Sequence, residues 1–135
     1  MTVLIVDGQG GRLGKQLVKE VRERFPQLPL MAVGTNSMAT ESMLKAGAPR
    51  AATGENAVVV ACRKADVIIG PVGIVIADAL LGEVTPTMAK AVGQSDAVRI
   101  LLPSDKCDTF IAGVGNTGMS ALVEDAMDKL ASLLK

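Results

Sequence analysis

The segment richest in chemical possibility is Asp7-Gly8-Gln9-Gly10-Gly11-Arg12-Leu13-Gly14-Lys15. It follows the apolar run Val3–Val6 and precedes apolar residues at helical spacing, the context a phosphate-cradling loop requires. Glycines let main-chain N–H groups approach an anion closely, and the N-terminus of the following helix adds partial positive charge. Gly8, Gly11 and Gly14 fit G-x-x-G-x-x-G; the shorter G-x-G-x-x-G fails because Leu13 stands at its third glycine. Gly14-Lys15 matches the end of a triphosphatase P-loop, but Gln9 replaces that motif's first glycine and Gln16 its magnesium-binding hydroxyl. The plain structural alternative is that the glycines permit a tight turn and close helix–strand packing.

The G-x-x-G-x-x-G spacing resembles the loop of extended short-chain dehydrogenases and related Rossmann proteins, which implies a dinucleotide site. In such sites the second strand usually ends in an acid that holds the adenosine ribose. Here it ends Gly34-Thr35-Asn36-Ser37, with no carboxylate. Hydroxyl and amide groups at Thr35, Asn36 and Ser37, with Arg12 in the loop, suit a 2′-phosphate, so the expected cofactor is NADP, or otherwise a small ligand carrying phosphate. The resemblance stops at the loop: those enzymes use a Tyr-x-x-x-Lys pair, and this chain has no tyrosine.

Composition narrows the chemistry further. The chain has 135 residues, 14 basic and 14 acidic, hence no net charge and no global attraction to nucleic acid or anionic lipid. Two phenylalanines are its only aromatic residues, which argues against base-stacking platforms and cation–π cages. It lacks histidine, so His-based triads and most zinc sites are excluded, and no metal site is expected. Cys62 and Cys107 form no CxxC pair and read as reduced thiols of a cytoplasmic protein. The stretch from Val67 to Leu81 is too short and too broken by Gly70-Pro71, Gly73 and Asp78 to span a bilayer, and Met1–Asp7 reads as a strand rather than a signal peptide.

Several side chains could serve a ligand or a reaction. Asp7 could bind a sugar hydroxyl or cap the glycine turn. Thr53, Glu55 and Asn56 follow the third strand; Glu55 is a possible acid–base group or an acid favouring a helix N-terminus. Gly70 and Pro71 suit a tight turn beneath a ligand. Asp78 reads as a buried capping or interface acid. Ser104-Asp105-Lys106-Cys107 places a hydroxyl, acid, base and thiol in one loop, where Cys107 would need Lys106 to activate it. No catalytic residue is assigned from the sequence.

These groups need a frame. Apolar runs at Val3–Val6, Leu28–Val33, Arg50–Ala52, Val67–Ile69, Val98–Leu102 and Thr109–Val114 read as six strands. Helices are expected from the glycine loop to Phe25, from Asn36 or Ser37 to Lys45, from Thr53 or Gly54 to Lys64, over Ile74–Leu81, from Thr85-Pro86 to Val92 and over Met119–Leu134. The alternation predicts a single-domain α/β, three-layer Rossmann-like sandwich with a mostly parallel sheet of order 3-2-1-4-5. Only Pro103–Asp108 separate the last two runs, too few for a parallel crossover, so strand 6 is expected as an antiparallel edge. Ligands of such sheets bind beyond the carboxyl ends of the strands. This selects Gly8–Gly14, Gly34–Ser37, Thr53–Asn56, Gly70–Gly73 and Pro103–Cys107, and sends Gly115–Gly118 to the opposite end.

Val6-Asp7-Gly8-Gln9-Gly10-Gly11, Gly34-Thr35-Asn36, Thr53-Gly54-Glu55-Asn56-Ala57 and Asp66-Val67-Ile68-Ile69-Gly70-Pro71 together resemble an uncharacterised family of short bacterial Rossmann-like proteins, a domain of unknown function. The resemblance covers the whole chain and implies the fold but no reaction. The expectation is a nucleotide- or dinucleotide-binding protein of unassigned chemistry. The alternative is a non-catalytic, homo-oligomeric regulatory or ligand-binding protein, its subunit contact made by the apolar Ile74–Leu81 helix.

Overall fold

A computed structural model describes residues 1–104 and 108–135. Five strands alternate with five helices: β1 (Val3–Asp7), α1 (Arg12–Arg24), β2 (Leu30–Gly34), α2 (Ser37–Lys45), β3 (Ala51–Thr53), α3 (Glu55–Lys64), β4 (Val67–Pro71), α4 (Pro86–Gln94), β5 (Val98–Leu102) and α5 (Met119–Leu133). All strand pairs are parallel and the order is β3-β2-β1-β4-β5, the order of a Rossmann sheet without its sixth strand.

Side-chain alternation along the strands builds two cores. Val3 and Ile5 of β1, with Val67 and Ile69 of β4, pack under Leu17, Val18 and Val21 of α1, Met43 of α2 and Val123, Met127 and Leu130 of α5. Leu4, Val6 and Ile68 point the other way, against Val58 and Ala61 of α3 and Met88 and Val92 of α4. β1 and β4, covered on both faces, are therefore continuous apolar runs. The sheet ends in a three-residue β3 on one side and in β5 on the other. Among the described residues β5 pairs only with β4, and its Val98 and Arg99 are exposed.

Two expected elements are absent. Thr109–Val114 is not a strand: the chain turns at Ala112–Gly113, where Gly113 is left-handed (φ 85) and the Val114 N–H donates to the Ile111 carbonyl at 3.2 Å. That turn breaks the extended run before any antiparallel ladder can form, and the described residues contain only the five parallel strands. Ile74–Leu81 is not a helix either. A single 3-10 turn at Val72–Val75 gives way to a strap in which Asp78, Leu80, Leu81 and Gly82 are all left-handed. The Asp78 N–H donates to the Val84 carbonyl at 2.7 Å, a partner downstream instead of the one a helix would supply. The apolar residues of this stretch bury against their own sheet: Ile74 is 1% and Leu80 7% exposed. Asp78, expected to be buried, is exposed.

Candidate functional site

At the carboxyl ends of β1, β4 and β5, where strand order reverses, lies a crevice of about 550 Å³. Its floor is the glycine loop from Asp7 to Leu13 with Pro71 and Leu80. Its far wall is Leu102, Pro103 and Ser104, then Thr109, Phe110, Ile111, Val114, Gly115, Asn116 and Thr117, and finally Met119 and Leu122 at the start of α5. Arg12 is the one cationic side chain among the described lining residues, and it is exposed.

The loop's shape follows from the strand-to-helix junction. Asp7, buried at the end of β1, turns its carboxylate back over the loop: Oδ1 accepts from Gly8 N at 2.8 Å and Oδ2 from Gly14 N at 2.6 Å. Asp7 thereby caps the glycine turn. Gly11 is the N-cap of α1 with φ 74, and a Cβ there would meet the Ala39 Cα at 2.8 Å. A Cβ on Gly14 would lie 2.8 Å from the Asp7 Cβ, and one on Gly8 2.5 Å from Thr35 Oγ1. Packing thus accounts for three of the loop's four glycines. Gly10 is different: it is exposed, and a Cβ there would touch nothing within 4 Å.

The main-chain donors divide the same way. Gly8 and Gly14 serve Asp7, Gly11 N donates to Gly8 O at 2.9 Å, and Gln9 N donates to Glu83 Oε1 at 2.8 Å. The N–H groups of Gly10, Arg12 and Leu13 have no acceptor among the described residues. They stand at the first turn of α1, where a helix cannot satisfy its own donors.

Glu83, which the sequence reading passed over, organises the β2 side. Its Oε1 accepts from Gln9 N, from Thr35 Oγ1 at 2.7 Å and from Asn36 Nδ2 at 2.6 Å, while Oε2 has no partner among the described residues. Burial alone would raise the Glu83 pKa; the Gln9 amide, the Thr35 hydroxyl and the Asn36 amide outweigh it and hold the carboxyl below its ordinary value. Asn36 also donates to Gln9 O at 2.9 Å and caps α2 by accepting from Ala39 N at 2.9 Å. Glu83 arrives from the strap between β4 and α4, about fifty residues from Thr35, so no local spacing announces it; an isolated acid next to the capped Thr85-Pro86 helix start was its only trace.

Of the expected site residues, the structure brings together Asp7, Gly8, Gln9, Gly10, Gly11, Arg12, Leu13, Pro71 and Ser104 around the crevice. Gly14 lies buried beneath it, and Gly70 packs where a Cβ would strike the Val6 carbonyl. Thr35 and Asn36 face Glu83. Ser37 is exposed at the start of α2, and Glu55 and Asn56 at the start of α3; Thr53 hydrogen-bonds Thr40 through their hydroxyls at 2.7 Å. None of these four lines the crevice, and neither do Thr35, Asn36 or Glu83. Asp105, Lys106 and Cys107 lie outside the described residues. Gly115–Thr117, sent to the far end by the expected antiparallel strand, instead form part of the wall, because the chain turns at Gly113 and stays at the carboxyl end of the sheet.

The fold and crevice are those of a small doubly wound α/β protein. The chain belongs to the family described as a domain of unknown function (DUF3842), whose model matches residues 2–135. No curated protein and no solved structure matches it significantly. No helix among the described residues is long and apolar enough to cross a membrane.

Proposed function

We propose that this protein binds a nucleotide or another phosphate-bearing small molecule across the crevice. The observation that carries the reading is the set of three main-chain donors at Gly10, Arg12 and Leu13, beside an open cavity at the topological switch point. Phosphate oxygens would accept from these amides with the Arg12 guanidinium alongside. The uncharged remainder of the ligand would lie on the apolar wall of Leu102, Phe110, Ile111, Met119 and Leu122. Gly10 supports the same reading, since packing does not demand a glycine there and a ligand approaching the loop would. No reaction is assigned. A cytoplasmic, bacterial setting remains part of the proposal, resting on the reduced-thiol reading of the cysteines and the family resemblance.

Thermal unfolding with a panel of AMP, ADP, NAD, NADP and inorganic phosphate tests it. A ligand at 100 times its Kd should add about 2.7 kcal/mol of stability, and Arg12→Ala should weaken the same ligand by about tenfold, the worth of one charge-assisted contact. Absence of any shift at millimolar concentration overturns the reading.

The alternative, a non-catalytic homo-oligomer, loses the apolar helix that suggested it, since that stretch covers its own sheet. What favours it is one side chain, Leu81, which is 100% exposed. Light scattering decides: a dimer that Leu81→Lys converts to monomer would support it.

A further inference from the structure

We propose that the outer edge of β5 and the adjoining face of α5 form a two-fold interface with a second copy of this chain. The inference does not depend on what the crevice binds, and it uses a different surface from Leu81.

The edge is open over a short stretch and closed at both ends. The Val98 N–H donates to the Asp66 carbonyl on the β4 side at 3.0 Å. Strand alternation then turns the main-chain groups of Val98, Ile100 and Leu102 toward β4 and those of Ala97, Arg99 and Leu101 outward. Side chains already satisfy Ala97: its N–H donates to Ser95 Oγ at 3.1 Å, and its carbonyl accepts from Arg99 Nη1 at 3.2 Å. At the other end Pro103 has no N–H to offer. The outward N–H and C=O groups of Arg99 and Leu101 are left without a partner among the described residues. An antiparallel copy centred on Ile100 sets Arg99 opposite Leu101 of the second copy, and each such pair exchanges both of its hydrogen bonds. Centring on Arg99 would oppose two like charges, and centring on Leu101 would bring Pro103 into the ladder. Arg99 thus closes the ladder at Ala97 and also fixes its register.

The side chains beside the edge match under the same axis. An open groove of about 460 Å³ runs between β5 and α5, and α5 borders it with Leu122, Asp125, Ala126, Lys129, Ser132 and Leu133. This is a stripe at helical spacing, separate from the Val123, Met127 and Leu130 face in the core, with an acid and a base at its middle. Leu102 and Leu122 border the groove at its crevice end, and α5 runs back from there toward Val98. A helix rise of about 1.5 Å per residue against a strand rise of about 3.3 Å puts Ile100 level with the turn between Asp125 and Lys129. The two-fold axis therefore sets Asp125 of each copy against Lys129 of the other. Both side chains are exposed, and within one copy they pair at 2.6 Å. Val98, 49% exposed, comes to lie opposite Leu102 of the second copy. Leu102, Pro103 and Leu122 also line the crevice, so the second copy backs its far wall.

Sedimentation velocity on the full chain, from low to high micromolar, tests the proposal. The expected species is a dimer, twice the 13.9 kDa of the chain. Lys129→Glu and Asp125→Lys, each shown folded by its melting curve, should each weaken the dimer by about tenfold or more, because like charges then meet across the axis. The double exchange of Asp125→Lys with Lys129→Glu should restore it. Amide hydrogen exchange at Arg99 and Leu101 should be slow in the dimer and speed up on dilution. A chain that stays monomeric at high micromolar concentration, a dimer that the single reversals leave intact, a double exchange that remains monomeric, or amides of Arg99 and Leu101 that exchange freely in the dimer overturns the interface.

Discussion

Gly10 and Gly14 share a loop, but packing demands a glycine only at Gly14. Adding a methyl at Gly14 pushes into Asp7 Cβ and Met43 Sδ, and overpacking of that kind costs typically about 1–3 kcal/mol. At Gly10 the methyl enters open space, so Gly10→Ala should change stability by less than about 0.5 kcal/mol. If the loop holds phosphate, the order reverses for binding, and Gly10→Ala loses affinity while remaining folded. Urea titration and calorimetry on the pair give both readings. Glu83 makes a separate prediction in pH. Its folded pKa is depressed, so its contribution to stability is present above the unfolded carboxyl value of about 4.3 and is lost as pH falls through the folded value. Wild type should therefore lose more stability than Glu83→Gln between pH 5 and the folded pKa, as read by melting temperature in acid buffers. Cys62 shows the opposite sign: burial raises its thiol to about 11, so it stays protonated and inert at neutral pH.

Elements with strong local signals were readable from the chain. The Thr85-Pro86 start of α4 and the Asn36 cap of α2 fall where a side-chain acceptor precedes a helical repeat, and both caps form, with Thr85 Oγ1 3.1 Å from Met88 N. The strand order followed from the alternation of β1 to β5 and the right-handed crossover rule. The failures lie where apolar runs lack a local partner to define them. Ile74–Leu81 and Thr109–Val114 are both apolar runs, but the first is an irregular strap that buries Ile74, Ala79 and Leu80, and the second turns at Gly113 to wall the crevice. Tertiary context decided both, and with them the positions of Glu83 and Asn116. The strap itself is testable. Leu81 is fully exposed at φ 57, so Leu81→Gly removes no contact and relieves a left-handed side chain. It should stabilise the protein by about 0.5–1 kcal/mol after the added chain entropy of glycine is counted, measured by denaturant unfolding.

At the scale of the molecule, the crevice joins a loop at residue 10 to a wall at residues 102–122, with the sheet and α5 between them. Both walls stand on one core, since α5 packs against α1 as well as on β5, and the crevice end inherits the stability of the whole. The β5 border has a different consequence, for the protein in concentrated solution. Among the described residues its outer main-chain groups face no neighbouring strand, and its sequence is Val98-Arg99-Ile100-Leu101-Leu102. Arg99 is the only charge there, anchored by its guanidinium to the Ser95 and Ala97 carbonyls. Replacing it with valine would leave a naked ribbon of five branched aliphatic side chains, the composition that templates stacking of one molecule on the next. Arg99→Val should keep the native melting profile when dilute yet turn cloudy and bind thioflavin T as concentration rises; a variant that stays clear would mean that the outer groups of β5 are protected by something other than that one guanidinium.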